Sequence, residues 1–210
     1  YGIANCFLEN EYLKVVIDDN GLLTEVIDKK TGRQILTDKG NLLTISFDKP
    51  VHESAWNLEF DYQKKFWELI DAESIEVIES SPVRGVIRVV RKFNESTITQ
   101  DYILEKGKPA LDFETTVDWH EREKVLKAAF PVNIRNRNVS CEIAHGSAEY
   151  PTHYNTSYDK AKFEFCAHKW ADLSEGGYGV SILNDCKYGY DIHDSKMRIT
   201  LMRAPTYPDP

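Results

Sequence analysis

One segment of the chain, residues 163–193, concentrates side chains that could perform chemistry. Its sequence, FEFCAHKWADLSEGGYGVSILNDCKYGYDIH, holds one Trp, three Tyr, two His, two Cys and three Asp. Aromatic rings that stack on sugars, beside carboxylates and amides that bind hydroxyl groups, are typical of carbohydrate sites. The residues with this chemistry are Trp170, Tyr178, Tyr188, Tyr190 and Asp191. Aromatic residues on alternating strands also fill β-sheet cores, so a sugar-binding surface and a packed core both stay open.

Metal-ligand spacing is absent from the histidines and cysteines of the sequence. His145 and His153 stand eight residues apart with Glu149 and Asp159 nearby, but they form no HExxH or HxH motif. We interpret these imidazoles, and those of His168 and His193, as structural or surface groups. The four cysteines form no CxxC pair, and we expect reduced, partly buried thiols; they are Cys6, Cys141, Cys166 and Cys186.

Nucleophile and carboxylate motifs are equally unspecific. No GxSxG motif is present, and the GGYG run at 176–179 lacks the strand-to-helix setting of a phosphate cradle. We predict a tight hairpin turn there. The 34 acidic residues could include a glycosidase-like pair, but such pairs work at separations of roughly 5–10 Å that a sequence does not define. The residues alone therefore assign no catalytic group and no metal ligand.

Alternation with a period of two dominates the chain and predicts its strands. The Asn20-Gly21 pair is a hairpin-turn signal between the runs EYLKVVID and LLTEVID. A second hairpin is predicted around the loop EKGKP at 105–109, because alternate residues of the second arm, 110–120, are apolar. We also predict strands at 41–47, 85–93, 125–134, 139–144, 161–170, 178–185 and 196–203.

The fold class that follows is all-β, because no convincing ten-residue amphipathic helix accompanies about a dozen short strands. A large antiparallel sandwich is the expected architecture, and residues 1–210 are predicted to form a single domain. The least regular stretch, 48–84, is expected to hold long loops or a split strand pair, with room for a short helix. Because neither end resembles a natural terminus, we expect a domain excised from a longer protein.

The composition narrows the range of partners. A formal net charge of −8 argues against nucleic acid and anionic membrane surfaces, because phosphate backbones need a basic face. No apolar run approaches the 18 residues or so of a membrane-spanning helix.

Four long blocks resemble the C-terminal region of family 38 glycoside hydrolases, the class II α-mannosidases, in their cytosolic and bacterial branch. The blocks begin LENEYLKVVIDDNG, WHEREKVLKAAFPVNI, PTHYNTSYDKAKFEF and LMRAPTYPDP, and together they cover essentially the whole chain in order. The resemblance implies a galactose-mutarotase-like β-supersandwich and a cytoplasmic parent enzyme. That parent would be a zinc-dependent, retaining hydrolase of terminal α-D-mannosyl residues in glycans.

The resemblance also implies which parts of the reaction this chain does not perform. In the family, zinc, the nucleophile and the general acid/base belong to an N-terminal catalytic barrel whose motifs do not occur here. The fragment is therefore predicted to be inactive alone, with that barrel and mannose-containing glycans as its partners. Once excised, it is expected to self-associate through the face that the barrel normally covers.

Residues near the barrel are expected in the blocks 168–193 and 203–210. The candidates for reaching the substrate cleft or the barrel are Asn184, Asp185, Lys187, Tyr188 and Arg203.

Two other functions remain open on the sequence. A self-contained mutarotase-like epimerase would need a histidine acid, such as His145, His153 or His168, facing a carboxylate base. A carbohydrate-binding module would bind glycans through the aromatic residues without turnover. A fold alone does not choose among these functions, and the long resemblance favours the mannosidase domain.

Overall fold

The computed structural model describes residues 6–206 as antiparallel strands with one short α-helix and one 3-10 helix. The strands are β1 (Cys6–Glu9), β2 (Leu13–Ile17), β3 (Leu23–Asp28), β4 (Arg33–Gln34), β5 (Leu42–Phe47), β6 (Phe66–Leu69), β7 (Ser74–Ser80), β8 (Arg84–Phe93), β9 (Ser96–Glu105), β10 (Leu111–Asp118), β11 (Lys124–Pro131), β12 (Asn138–Ile143), β13 (Gly146–Pro151), β14 (Phe165–Cys166), β15 (Trp170–Glu175), β16 (Tyr178–Leu183), β17 (Gly189–His193) and β18 (Lys196–Arg203). The 3-10 helix spans Phe60–Lys64 and the α-helix, α1, spans Ser157–Ala161. This content confirms the all-β prediction.

Two compact units divide the chain, and the first takes in Tyr1–Leu42 and Glu68–Arg122, of which residues 1–5 lie outside the description. Its two four-stranded sheets have the orders β1-β2-β3-β4 and β10-β9-β8-β7, each a run of sequential antiparallel neighbours. Sequential neighbours suit strands joined by short turns. Apolar side chains with no exposed surface, such as Val15, Ile17 and Val89, form its core.

A polar network lies within the core of this first unit. The Tyr102 hydroxyl donates to the Gly21 carbonyl (2.7 Å) and accepts from Asn41 Nδ2 (2.7 Å). Arg91, 1% exposed, donates through Nη2 to the Asn20 carbonyl (2.9 Å). Buried polar groups need such partners, because each one left unsatisfied costs about 1–3 kcal/mol. The network therefore fixes the Asn20-Gly21 turn against strands β8 and β9.

The second unit comprises Leu43–Trp67 and Glu123–Pro210, described as far as residue 206. A six-stranded sheet has the order β14-β17-β18-β11-β5-β6, and a four-stranded sheet has the order β13-β12-β15-β16. Leu43, Ile45, Val125 and Leu126 are essentially unexposed in strands β5 and β11 at the centre of the larger sheet. The candidate functional residues all lie in this unit. The prediction that residues 1–210 form one domain stays a prediction.

Local turn signals predicted the hairpins well. Asn20-Gly21 turns between β2 and β3, with Gly21 N–H donating to the Asp18 carbonyl (2.9 Å). The loop at 105–109 joins β9 to β10, which pair in register from Leu104↔Leu111 to Thr97↔Asp118. Gly176 and Gly177, both with positive φ, form the tight turn predicted between β15 and β16.

The strand predicted at 161–170 is wrong. Phe165 and Cys166 pair with Tyr190 and Gly189, Trp170 already belongs to β15, and α1 extends into the range as far as Ala161. The helix begins with a capping box in which Thr156 and Asp159 satisfy each other's backbone N–H groups. In 48–84 the short helix allowed by the sequence is the 3-10 helix, followed by β6 and β7. Within residues 6–206, no helix has the length and apolar character needed to cross a membrane.

Candidate interaction site in the second unit

Four of the five predicted site residues lie in the loop 184–188, which joins β16 to β17. Asn184 organises this loop: its Oδ1 accepts from the backbone N–H of Cys186 (3.0 Å) and of Lys187 (2.5 Å). Its Nδ2 donates to the His168 carbonyl (3.0 Å) and to the Tyr190 hydroxyl. The amide is therefore occupied in shaping the loop, while Asp185 and Tyr188 are presented to solvent.

Arg203, the fifth predicted residue, is engaged at the end of β18. Its Nε donates to Asp48 Oδ2 (2.7 Å), and its Nη2 donates to the carbonyls of Ser54 (3.0 Å) and Asn57 (2.8 Å). The Asp48 side chain is 1% exposed, so the Arg203 guanidinium pairs with a buried carboxylate. Its bonds to Asp48 and to the two carbonyl groups hold the loop 48–57 against the end of β18. No hydrogen bond or ion pair among residues 6–206 joins Arg203 to the loop 184–188, so the predicted residues form two groups.

The loop held by Arg203 carries exposed apolar side chains. Val51 is 76% exposed and Trp56 is 71% exposed. Large apolar side chains held in a fixed loop are typical of surfaces that other proteins or domains cover. We name the loop 48–57 together with Arg203 the clamped loop.

Substitution of Arg203 by lysine is expected to loosen the clamped loop. A lysine keeps the charge but has one nitrogen, so it cannot hold Asp48 and two carbonyls in the fork geometry of a guanidinium. We expect the backbone N–H groups of Trp56 and Asn57, which both donate to the Glu53 carbonyl, to exchange about tenfold faster, which corresponds to about 1.4 kcal/mol. Hydrogen exchange read by mass spectrometry measures this. Unchanged exchange across 48–57 would show that Arg203 does not hold the loop.

A buried cluster of charges lies deeper in the same unit. Lys127 on β11 donates to Asp191 Oδ2 (2.7 Å) and to Glu164 Oε1, and Arg198 on β18 donates to Asp191 Oδ1 (2.5 Å). Tyr62, from the 3-10 helix, donates its hydroxyl to Glu164. The side chains of Lys127 and Asp191 are each 1% exposed. We name these five residues the charge cluster.

Electrostatics in the charge cluster follow from burial and pairing. Burial alone would raise the pKa of Asp191, but Lys127 and Arg198 outweigh it, so its pKa lies below the usual value. Burial raises the pKa of Glu164 despite the opposing effect of Lys127, and Asp191 raises it further. Burial and both carboxylates also raise the pKa of the Tyr62 hydroxyl, which stays neutral. Two cations thus face two carboxyl groups.

The charge cluster performs a structural task. Its hydrogen bonds tie the 3-10 helix and residue 164 to the sheet formed by β17, β18 and β11. Sequence reasoning included Asp191 among the sugar-binding residues, but burial removes Asp191 and the unexposed Tyr190 from any surface platform. The other members were missed. One signal was available: Lys127 interrupts the apolar run VLKAAF at the centre of β11.

The histidines predicted for an epimerase do not assemble into an acid–base site. His153 Nδ1 lies 3.6 Å from Asp159 Oδ2, but Asp159 already accepts hydrogen bonds from Thr156 as the helix cap. His168 packs edge-on against Tyr188, with ring centroids 5.9 Å apart. His145 occupies a turn with φ of 63°. Within residues 6–206, the one ion pair that these three histidines make is that of His153 with the helix-capping Asp159.

Comparison with known proteins identifies one family and several relatives whose names agree with it. Residues 8–210 match the Glycosyl hydrolases family 38 C-terminal domain. Alpha-mannosidase G of Dictyostelium discoideum is 36% identical over 98% of this chain and 20% of its own length. Alpha-mannosidase 2C1 of Homo sapiens is 36% identical over 96% of this chain, and the alpha-mannosidase of Saccharomyces cerevisiae is 37% identical over 96% of this chain. In both cases the match covers 20% of the relative's own length.

Solved structures agree with this match at the level of the fold. An alpha-mannosidase from Enterococcus faecalis V583 superposes with a TM-score of 0.81 at 18% identity, over 95% of this chain and 26% of that one. The chain thus spans about a fifth of the length of the relatives in three eukaryotes. A family match over nearly the whole chain is decisive for membership: this chain belongs to the C-terminal domains of glycosyl hydrolases family 38.

Proposed function

We propose that this chain is the non-catalytic C-terminal domain of a zinc-dependent, retaining α-mannosidase that hydrolyses terminal α-D-mannosyl residues in glycans. The observation that carries the proposal is the match along 96–98% of the chain to three alpha-mannosidases that are about five times as long. A domain of this size aligned to a fifth of each relative leaves ample chain for a separate catalytic part. The proposal includes the β-supersandwich architecture and a cytoplasmic location, both implied by the sequence resemblance.

The two buried carboxyl groups of the charge cluster support a non-catalytic role. Asp191 is held by Lys127 and Arg198, and Glu164 by Lys127 and Tyr62, inside the second unit. A glycosidase pair must instead face the sugar from two sides. The side chains also do not fit a zinc site, because residues 6–206 contain no group of three or more His, Cys, Asp or Glu side chains that could hold a metal ion.

The clamped loop and the loop 184–188 are the proposed contact surface for the catalytic part and its cleft. Val51 and Trp56 offer apolar area that a packed partner would remove from water, worth about 25 cal/mol per Å². Asp185, Lys187 and Tyr188 offer polar groups and a ring at the other loop. In this arrangement the chain shapes the substrate cleft, while the catalytic groups reside in the preceding barrel.

Hydrolysis of a chromogenic α-mannoside tests the proposal. We expect no turnover by this chain alone, with or without added zinc, and turnover once it is mixed with the purified N-terminal part. The full-length protein serves as the positive control, and the N-terminal part alone shows what the domain adds. Turnover by the isolated chain would overturn the proposal. An N-terminal part that is fully active without this chain would overturn the proposed role of the chain in shaping the substrate cleft.

A further inference from the structure

A cleft of about 670 Å³ opens in the second unit, on residues that the proposed function does not use. Ligand sites in proteins commonly measure about 300–1,000 Å³, so its size suits a small polar molecule. Every residue that lines it is polar or charged: Arg135, Asn136, Arg137, Thr152, His153, Asn155, Asp194 and Ser195.

The walls of this cleft are cross-linked by their small polar side chains. Asn136 Nδ2 donates to the Ser174 carbonyl (2.7 Å), and Thr152 Oγ1 donates to the Asn136 carbonyl (2.6 Å). Ser195 Oγ donates to the Ile134 carbonyl, which ties the β17–β18 turn to the same segment. Thr152 and Ser195 each donate their hydroxyl hydrogen in these bonds, so neither hydroxyl is left to donate to a ligand. The groups left for a ligand are then the longer charged side chains.

Arg135 and Arg137 provide most of the remaining hydrogen-bond donors. Their backbones are fixed, since Arg135 N–H donates to Glu175 Oε2 (2.8 Å) and the Arg137 carbonyl accepts from Thr152 N–H (2.9 Å). Within residues 6–206, neither guanidinium makes a hydrogen bond or an ion pair. Arg88 and Arg198, by contrast, each hold a carboxylate at 2.5–2.7 Å.

Two unpaired guanidinium groups on one cleft indicate an anionic ligand. The guanidinium fork matches phosphate and carboxylate oxygens with two parallel hydrogen bonds. His153 adds a further nitrogen, because its Nδ1 accepts from the Asn155 backbone N–H (3.5 Å), while its Nε2 has no hydrogen bond within residues 6–206. The overall charge of −8 does not oppose this, because screening confines charge effects to about 10 Å.

The remaining lining residues define what the anion is attached to. Asp194, the one acidic side chain in the lining, is not paired with either arginine. A carboxylate beside amide groups such as Asn155 accepts and orders the hydroxyl groups of a sugar. We propose that this cleft binds a phosphate group carried by a sugar, with Arg135 and Arg137 on the phosphate and Asp194 on a hydroxyl. The phosphate and hydroxyl contacts do not rest on the mannosidase assignment, which enters only through the choice of mannose as the sugar of the probe.

Calorimetric titration of the full-length protein tests the site with mannose 6-phosphate, inorganic phosphate and mannose as probes. The double substitution Arg135→Gln/Arg137→Gln is compared with Lys30→Gln/Lys106→Gln, which removes the same charge from exposed positions in the first unit. We expect wild type and the control to bind mannose 6-phosphate equally, and the cleft variant to bind about tenfold or more weakly. Melting temperatures verify that both variants fold.

The probes separate the two sources of phosphate. Tighter binding of mannose 6-phosphate than of inorganic phosphate, with the difference lost in Asp194→Asn, supports recognition of the sugar. Equal binding of both, lost in the arginine variant, retains the phosphate site and removes the role of Asp194. Absence of binding up to about 10 mM of either phosphate probe, or equal binding by the cleft variant, overturns the proposal. None of these outcomes depends on α-mannoside hydrolysis.

Discussion

Replacement of Lys127 by methionine will destabilise the second unit by about 3–5 kcal/mol, because it leaves buried carboxyl groups without their shared cation. Lys127 Nζ contacts Asp191 Oδ2 at 2.7 Å and also holds Glu164, and its own side chain is 1% exposed. Methionine fills a similar volume, so the loss reports on charge and not on a cavity. Urea denaturation followed by circular dichroism measures the change in the free energy of unfolding.

Two matched variants make the result for Lys127 interpretable. Lys49→Met removes an ion pair of 3.1 Å to Glu123 from a side chain that is 61% exposed, and it should cost no more than about 1 kcal/mol. Lys127→Met/Glu164→Gln should be less destabilised than Lys127→Met alone, because one stranded carboxyl group is then neutral. If Lys127→Met behaves like Lys49→Met, the charge cluster does not stabilise the fold.

The parts of the fold that the sequence predicted correctly are the turns and hairpins, whose conformation depends on residues close to one another along the chain. The Asn20-Gly21 turn, the loop at 105–109 and the Gly176-Gly177 turn each combine a local turn signal with alternating flanks. At 161–170 the same alternation was misleading. The Thr156–Asp159 spacing of a capping box stood just upstream and predicts the helix that the structure contains.

The candidate site was less accessible to prediction, because its geometry depends on residues far apart in sequence. Arg203 meets Asp48 across 155 positions, and Lys127 meets Asp191 across 64. Nothing local distinguishes a lysine that will face a buried carboxylate from one that will face water. The family resemblance identified the blocks 168–193 and 203–210 as a whole, but residues 207–210 lie outside the described part. That Arg203 clamps a loop follows from the structure alone.

Substitution of Gly21 by alanine is the second change with a large expected effect. Gly21 has φ of +74°, and an added Cβ would lie 2.5 Å from Val89 Cγ1 and 3.1 Å from Arg91 Nη2. A left-handed backbone costs an L-residue roughly 1–2 kcal/mol, and overpacking a core adds about 1–3 kcal/mol. We expect the first unit to lose about 2–5 kcal/mol of unfolding free energy, measured by urea denaturation. Displacing Val89 would also disturb the polar network.

Gly32→Ala separates the backbone cost from the packing cost. Gly32 has a similar φ of +70°, but nothing lies within 4 Å of the position its Cβ would take. Its substitution should therefore cost only the backbone contribution, roughly 1–2 kcal/mol. The difference between the two variants measures how firmly the Asn20-Gly21 turn is pressed against β8. If both variants lose the same free energy, Val89 moves aside without cost, and the turn is held by Tyr102 and Arg91 instead of by close packing.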